Sequence, residues 1–252
     1  LAQLKCERME PLSDIEETRL AVIVGGGGAI AQALAALWCK DPTLRVVVVS
    51  RASPPMPNVQ SMLTDYSEAS LAAIASTLAD LQMPMSRLVI TNGILSGDAF
   101  SPERKISDLN VTAFQHVLAV NALLPLQVLS AFWSLIRHGA APRVAVLSAR
   151  VGSVSDNRLG GWYSYRASKA ALNMMLKNAA IEAQRINRQA KFIAYHPGTV
   201  DSPLSQPFQR SVPKEKLFTP EFTALQLTAV LNTAVADGEL SYVDWAGETI
   251  AW

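Results

Sequence analysis

The sequence predicts a doubly wound α/β domain, in which helices cover both faces of one parallel sheet. Short apolar runs rich in β-branched residues alternate about six times with longer runs rich in alanine and leucine. The short runs do not alternate with polar residues, which is typical of strands buried on both faces of a parallel sheet. The chain has 252 residues, half of them hydrophobic, and no composition shift marks a linker. We therefore predict a single domain over residues 1–252, with residues 1–18 as an N-terminal extension.

Each short apolar run is a predicted strand, at residues 19–24, 46–50, 59–63, 88–91, 144–148, 192–195 and 240–243. The longer runs are predicted helices, at residues 30–38, 68–81, 111–137, 164–188 and 220–236. Pro125 lies inside the third helix and predicts a kink or two pieces there. Thr219 and Pro220 have the residue types of a helix cap and a first helical position, so they start the last helix.

The composition excludes several classes of protein. Charged residues make up 17 % of the chain and the formal net charge is +1, which gives no reason to expect nucleic acid or an anionic membrane as partner. Residues 20–39 are uncharged and long enough to span a membrane, but four consecutive glycines favour a strand, a turn and a helix instead. The three histidines, His116, His138 and His196, lack the spacing of metal ligands.

The first residues carry both charge signs and no apolar core, so we expect no signal peptide. The two cysteines, Cys6 and Cys39, are then expected to be reduced thiols. Together these features predict a cytoplasmic protein.

A run of four glycines lies between the first predicted strand and the first predicted helix. Glycine allows a tight turn and a close approach to a pyrophosphate, while the helix that follows directs free N–H groups at it. A plain flexible turn is the alternative, but the position in a strand–helix–strand unit favours a Rossmann-type dinucleotide site. The predicted phosphate-binding residues are Gly25, Gly27, Gly28 and Ile30.

The second strand ends at Ser50-Arg51, both expected to contact the cofactor, and no acidic residue lies between residues 49 and 58. An acidic residue here binds the ribose of NAD, whereas a guanidinium suits a 2′-phosphate, so the sequence favours NADP(H) over NAD(H). An ordinary solvated arginine is the alternative. Asp65 follows the third strand and could accept the adenine amino group. Asn92 and Gly93 follow the fourth, where Gly93 leaves room for a cofactor and Asn92 could tie neighbouring strands together.

Tyr165 and Lys169 lie four residues apart at the start of the helix after the fifth strand, so they share one helix face. A nearby ammonium favours the phenolate and would lower the tyrosine pKa. A tyrosine tuned in this way can exchange a proton with a carbonyl or an alcohol near neutral pH. The spacing alone is a weak signal, and its place after the fifth strand strengthens it.

The glycine turn, Asn92-Gly93, Asn121, Tyr165-x-x-x-Lys169 and His196-Pro197-Gly198 occur in one order along the chain. This order and spacing resemble the short-chain dehydrogenase/reductase family over about residues 19–252. The segment 151–173 and the closing residues 244–252 resemble the branch that includes C-factor signalling proteins and sniffer-type carbonyl reductases.

The resemblance implies roles for these residues. Tyr165 would be the general acid/base, Lys169 would lower its pKa and bind the nicotinamide ribose, and Asn121 would hold a proton-relaying water. A serine after the fifth strand would orient the substrate oxygen. The residues expected to line the nicotinamide are Pro197, Gly198, Val200 and Ser202.

The chain departs from the family pattern at three alanines. Ala29 and Ala31 stand where the family has glycines, which adds bulk where the helix meets the pyrophosphate. Ala149 stands at the usual serine position. Ser148 could serve only if the strand end twists or bulges, since neighbouring strand residues point to opposite sides. Ser153, in the following loop, is the other candidate.

The implied function is an NADP(H)-dependent oxidoreductase of class EC 1.1.1.- that acts on a small-molecule carbonyl or alcohol. A catalytically weak or inactive dinucleotide-binding signalling protein is the alternative, and epimerisation or dehydration on the same scaffold is a third. Residues 201–218 are predicted to form a lid over an apolar or mixed substrate. The apolar long helices are expected to form a homodimer or homotetramer.

Overall fold

A computed structural model describes residues 18–52 and 59–252. Its strands are β1 (Arg19–Val24), β2 (Leu44–Ser50), β3 (Gln60–Leu63), β4 (Met85–Ile90), β5 (Arg143–Leu147), β6 (Lys191–His196), β7 (Thr199–Val200), β8 (Leu217–Phe218) and β9 (Leu240–Asp244). Seven of them form one sheet in the order β3-β2-β1-β4-β5-β6-β9, and all neighbours are parallel. The predicted doubly wound parallel sheet is therefore confirmed. The predicted N-terminal extension lies almost entirely outside the described residues.

The helices are α1 (Ala29–Trp38), α2 (Glu68–Asp80), α3 (Val111–Leu118), α4 (Leu124–Ala131), α5 (Trp133–Arg137), α6 (Tyr163–Ile186) and α7 (Pro220–Thr233). Helices α1 and α7 pack on one face of the sheet, whereas α2, α4, α5 and α6 pack on the other. Successive side chains of a strand point to opposite faces of the sheet: those of Val22 and Val24 pack on one face, and those of Ala21 and Ile23 pack on the other. The apolar runs lack alternation because both faces are buried.

The third predicted helix is broken, as Pro125 indicates, but the break lies before the proline. A π-helical turn, Ala119–Leu123, separates α3 from α4. Pro125 lacks the N–H that would bond the Asn121 carbonyl in an α-helix. The backbone widens instead, and the Leu124 N–H bonds the carbonyl of Ala119, five residues earlier. This turn carries the buried Asn121 side chain.

The last predicted helix begins as expected, because the Thr219 hydroxyl accepts a hydrogen bond from the Phe222 N–H at 3.1 Å. It ends at Thr233, three residues before the predicted end. The uncharged run 20–39 forms β1, the glycine turn and α1, as predicted.

The order of the strands reverses between β1 and β4. The chain builds outward from β1 to β3 in one direction and from β4 to β9 in the other. Open α/β sheets bind ligands in the crevice beyond the strand ends at such a reversal. The glycine turn follows β1 and Asn92 follows β4, so both lie at this crevice.

The predicted lid, residues 201–218, is closed at its base by a short two-stranded ladder. Thr199 pairs with Leu217 and Val200 with Phe218, so the last two lid residues form β8. Between the paired ends the chain makes two 3₁₀ turns, Gln206–Ser211 and Lys214–Lys216.

Candidate active site

Close packing requires two of the four glycines in the turn after β1. Gly25 has a φ of +98°, and a Cβ there would collide with the Thr91 hydroxyl. A Cβ at Gly26 would collide with Val48, whereas Gly27 faces open space. Helix α1 then starts without a side-chain cap and without an acidic residue in its first turn. The free N–H groups and the helix dipole make this turn suitable for a phosphate.

The two alanines of this turn have different surroundings. Ala31 is fully buried in the core cluster between α1 and the sheet, together with Ile23 and Val48. Its methyl group therefore fills the core, and the expectation that it crowds a pyrophosphate is wrong. Ala29 is half-buried at the first position of α1, so any steric effect on a bound phosphate comes from Ala29.

A surface cavity of ≈ 450 Å³ lies beside the end of β2 and is lined by Arg51, Leu63, Thr64, Asp65 and Ser70. Arg51 is exposed, so its guanidinium can reach an anion in this cavity. Hydrogen bonds from Ser67, including its N–H at 2.9 Å, lower the pKa of Asp65 and keep it an acceptor. The cavity thus brings together the predicted 2′-phosphate and adenine contacts.

Ser50, also expected to contact the cofactor, is 3 % exposed, and its hydroxyl donates to the Ala52 carbonyl. Its side chain is therefore committed to the loop after β2.

Thr91, not Asn92, ties the strands together at the end of β4. The Thr91 hydroxyl oxygen lies 3.0 Å from the Val24 carbonyl oxygen and 3.1 Å from that of Gly25, and it donates its one proton between them. The sequence prediction assigned this task to Asn92, whose buried Oδ1 has no hydrogen-bond partner within residues 18–52 and 59–252. An unpaired buried acceptor beside the glycine turn can receive a donor from a ligand. Thr91 was missed because a hydroxyl at a strand end has many possible roles.

Helix α6 brings Tyr165 and Lys169 together, as their spacing predicts. The Lys169 Nζ lies 5.8 Å from the centroid of the Tyr165 ring and donates to the Leu147 carbonyl at 2.7 Å. A Cβ at Gly93 would lie 3.6 Å from the Asn121 Oδ1 and 3.7 Å from the Lys169 Nζ. Three of the predicted residues, Lys169, Asn121 and Gly93, therefore meet at one point.

The Asn121 side chain is held by three hydrogen bonds. Its Oδ1 accepts from the Ile94 N–H at 2.7 Å, and its Nδ2 donates to the Ile94 carbonyl at 2.8 Å and to the Ser168 hydroxyl at 3.0 Å. These bonds lock the π-helical turn to the loop after β4 and to α6. Asn121 thereby fixes the position of the Lys169 helix face relative to the sheet edge.

Burial dominates the ionisation of the central pair. It raises the pKa of Tyr165 to about 12, with a further contribution from the neighbouring Tyr242. It lowers the pKa of Lys169 to about 7. This direction is opposite to the predicted lowering of the tyrosine pKa, because burial deprives the phenolate of hydration. At neutral pH Tyr165 carries its proton, which is the form that can donate to a carbonyl oxygen.

Both serine candidates are buried and hydrogen-bonded. Ser148 is 3 % exposed and donates to the Asn173 Oδ1 at 2.7 Å, so its expected catalytic role is not supported. Ser153 is 2 % exposed; its hydroxyl accepts from the Asp156 N–H at 3.0 Å and lies 3.4 Å from the Ser155 hydroxyl. Ala149, at the expected serine position, offers only a methyl group.

The loop after β6 passes close to a cluster of aromatic rings. Gly198 has a φ of +74°, and a Cβ there would lie 2.6 Å from the Phe218 ring and 3.3 Å from Trp245. The Phe218 and Trp245 rings lie 4.7 Å apart. Val200 is buried, and the half-buried Ser202 donates to its carbonyl at 3.2 Å. Together with Pro197, these packed residues line the part of the crevice where the nicotinamide is expected.

His196, at the end of β6, is held neutral by its surroundings. Burial, the largest cause, and the charge of Arg150 together lower its pKa to about 4, although Asp244 acts in the opposite direction. Arg150 bonds Asp244 at 2.8 Å, and the buried His196 Nδ1 has no hydrogen-bond partner among the described residues. The unfolded chain therefore binds a proton near pH 6.5 that the folded chain binds only near pH 4.

We expect the stability of the protein to fall between pH 6.5 and pH 4 by roughly 3 kcal/mol through His196 alone. His196→Asn removes this titration, so its free energy of unfolding should fall less over the same range. Urea unfolding of both proteins at pH 7.5 and pH 4.5 measures the difference. Equal losses in both proteins would show that His196 does not carry the effect.

Within the two described ranges, no group of three or more His, Cys, Asp or Glu residues is placed to hold a metal ion. By length and composition alone, Val111–Ala131 could cross a membrane, but a π-helical turn interrupts this run.

Comparison with known proteins agrees with this geometry. The profile of the short chain dehydrogenase family matches residues 19–212. The chain is 29 % identical over 188 residues to 1-hydroxy-2-glutathionyl-2-methyl-3-butene dehydrogenase of Rhodococcus sp. (strain AD45), covering 74 % of this chain and 76 % of the relative. It is 36 % identical over 104 residues to C-signal of Myxococcus xanthus, covering 40 % of this chain and 60 % of that protein.

Two solved structures share the fold at low identity. Carbonyl reductase Sniffer of D. melanogaster superposes with a TM-score of 0.80 at 16 % identity, covering 94 % of this chain and 100 % of the other. An NADPH-bound carbonyl reductase from chicken fatty liver superposes with a TM-score of 0.79 at 18 % identity, covering 94 % and 95 % of the two chains.

Proposed function

This chain belongs to the short-chain dehydrogenase family, and on that premise we propose that it is an NADP(H)-dependent carbonyl reductase of the cytoplasm with Tyr165 as general acid/base. The observation that carries the proposal is the meeting of Lys169, Asn121 and Gly93 beside the Tyr165 ring. The NADPH-bound carbonyl reductase with the same fold supports the choice of cofactor.

The residues at the sheet edge fit a nicotinamide dinucleotide. The glycine turn leaves space where a phosphate would lie, α1 begins without a side-chain cap, and the Asn92 Oδ1 has no partner in the part of the chain that the structure describes. The phosphates would rest on Gly27 and Gly28, and the nicotinamide would lie against the loop 197–202. When bound, this cofactor supplies or accepts the hydride.

The chain's own residues position the carbonyl and supply the proton. In the reduction direction, the Tyr165 Oη–H bond breaks and its proton moves to the substrate oxygen as hydride reaches the carbonyl carbon. Lys169, with a pKa of about 7, can return a proton to the tyrosinate at neutral pH. Asn121 and Leu147 hold Lys169 and its helix in place, and a water beside Asn121 would complete the proton relay.

Arg51→Ala should weaken NADPH binding about 10- to 100-fold and leave NADH binding within about twofold. The guanidinium would lose a charge-assisted hydrogen bond to the 2′-phosphate, which NADH does not carry. Titration calorimetry with each nucleotide measures the change. Arg45→Ala is the matched control, because Arg45 is exposed on the same strand and bonds Gln60. Equal weakening of both nucleotides would contradict the phosphate contact.

A catalytically weak dinucleotide-binding signalling protein is the second candidate. It is favoured by Ala149 at the serine position, by the Ser148 hydroxyl that donates to Asn173, by the burial of Ser153, and by the similarity to C-signal. NADPH oxidation with a panel of carbonyl compounds separates the candidates. Nucleotide binding without turnover of any carbonyl would favour the signalling protein.

We further propose that the protein forms a homodimer or homotetramer through α3, the π-helical turn and α6. Each of these elements exposes a large apolar side chain, at Val111 (65 %), Leu123 (52 %) and Met174 (65 %). Exposed apolar patches of this kind are typical of subunit contacts. Light scattering should give two or four times the chain mass of 27.2 kDa, and Met174→Asp should lower it. A monomer at micromolar concentration would contradict the proposal.

A further inference from the structure

Three consecutive residues before α6 have left-handed backbone conformations. Gly160 and Gly161 have φ values of +63° and +64°, and Trp162 has a φ of +52°. Glycine adopts this conformation readily, but a tryptophan does not. Strained non-glycine residues persist only where their surroundings fix them, and they cluster at functional sites. The Trp162 backbone therefore requires an explanation.

A buried glutamate holds this turn. Glu103 is 6 % exposed, and its carbonyl accepts from the Trp162 N–H at 2.6 Å. Its carboxylate accepts from the Ser164 N–H at 3.1 Å and from the Ser164 hydroxyl, so it caps α6 from 61 positions earlier in the chain. Arg166 donates to the Gly161 carbonyl at 3.1 Å from the other side. These contacts fix the Trp162 backbone, and the side chain extends from it in the direction that its ring contacts show.

That direction is toward Tyr165 and the predicted lid. The Trp162 ring centroid lies 6.1 Å from that of Tyr165, at 76°. It lies 5.3 Å from the Phe208 ring, at 61°. Phe208 belongs to the 3₁₀ turn Gln206–Ser211 of the lid. Among the described residues, this is the ring–ring contact that joins the lid to α6, and both rings are partly exposed.

We propose that Trp162 and Phe208 form an aromatic gate beside Tyr165, which parts to bind the flat aromatic group of an aryl carbonyl substrate. The inference rests on the proposed function of Tyr165. A carbonyl oxygen that reaches the Tyr165 hydroxyl places the attached group next to Trp162. Edge-to-face and offset ring contacts favour an aromatic group over a saturated one of similar size. Leu204, partly exposed in the same lid, adds apolar surface.

The test compares benzaldehyde with cyclohexanecarbaldehyde, which have similar size but differ in aromaticity, in NADPH oxidation. The wild-type protein should prefer benzaldehyde. Phe208→Leu and Trp162→Leu should each lower kcat/KM for benzaldehyde about tenfold and change that for cyclohexanecarbaldehyde by less than about twofold. Because Phe208 lies outside the strained turn, the Phe208→Leu protein still tests the proposal if the Trp162→Leu protein misfolds. Tyr163→Leu, the neighbouring exposed aromatic, is the matched control and should change neither value.

Equal losses for both aldehydes in Phe208→Leu would overturn the gate as a selector. If the wild-type protein reduces neither aldehyde, the proposed function fails. The aromatic site is then tested by the binding of an aryl ketone. Fluorine NMR of 4-fluoroacetophenone should then show a line broadened by the wild-type protein and by Tyr163→Leu, but not by Phe208→Leu. Equal broadening by all three proteins, or none by the wild type, would overturn the aromatic site.

Discussion

Tyr165→Phe should lower the rate of carbonyl reduction by about 10²- to 10⁴-fold, the range expected for loss of a general acid. The phenylalanine ring keeps the contact with Trp162, so the change removes only the hydroxyl group. Tyr165 is itself one of the residues expected to contact the cofactor, but NADPH affinity should stay within about twofold, because the phosphate contacts are expected at the glycine turn and Arg51 and Lys169 remains to bind the ribose. NADPH oxidation under saturating substrate measures the rate, and calorimetry measures the binding.

The control for Tyr165→Phe is Tyr163→Phe, which removes a hydroxyl from the exposed side of the same helical turn. It should leave the rate unchanged. A Tyr165→Phe protein that keeps more than about a tenth of the wild-type rate would show that another group donates the proton, and the proposed mechanism would be wrong.

Ala149→Ser should raise the rate of carbonyl reduction, by up to about a hundredfold. A preorganised hydroxyl donor at a developing oxyanion contributes about 10²- to 10³-fold in enzymes that have one. Two hydrogen bonds fix the Ala149 backbone: its carbonyl accepts from the Tyr242 hydroxyl at 2.7 Å and from the Gly152 N–H at 2.8 Å. The new hydroxyl would therefore be held at the position where the family has its serine.

The matched control is Ala167→Ser, which adds the same hydroxyl to an exposed position of α6 and should leave the rate unchanged. If Ala149→Ser gives no gain while Ser153→Ala loses most of the activity, Ser153 already supplies the donor. That outcome would contradict the assignment of Ser153 as a structural residue.

The sequence predicted the sheet well because burial on both faces leaves a simple apolar pattern in each strand. The Tyr165–Lys169 pair was predictable because both residues lie on one helix, where spacing determines the shared face. Long-range contacts were not predictable. The Glu103 cap depends on a partner 61 positions away, and no local pattern reports it.

The ionisation of the site also needed the structure. A sequence shows that an ammonium lies near Tyr165, but only the fold shows how much water both groups lose. The hydrogen bonding of the candidate serines also required the structure, because the contact of Ser148 with Asn173 depends on how α6 packs against β5. A kink or break at Pro125 was predicted, but the π-helical turn and its position before the proline were not, because they depend on which carbonyl the backbone leaves unpaired.

The ladder between β7 and β8 holds together the two ends of the predicted lid, so the loop between them can be replaced as a unit. Because Thr199 pairs with Leu217, the two ends of the intervening loop are fixed side by side, whatever the loop contains. The entropic cost of lengthening a loop with fixed ends grows only slowly with its length. Under the proposed function, a loop grafted from a relative onto this ladder should change which compounds are accepted and leave the glycine turn and Lys169 in place. The two short strands are therefore the position where a replaced loop should disturb the rest of the fold least.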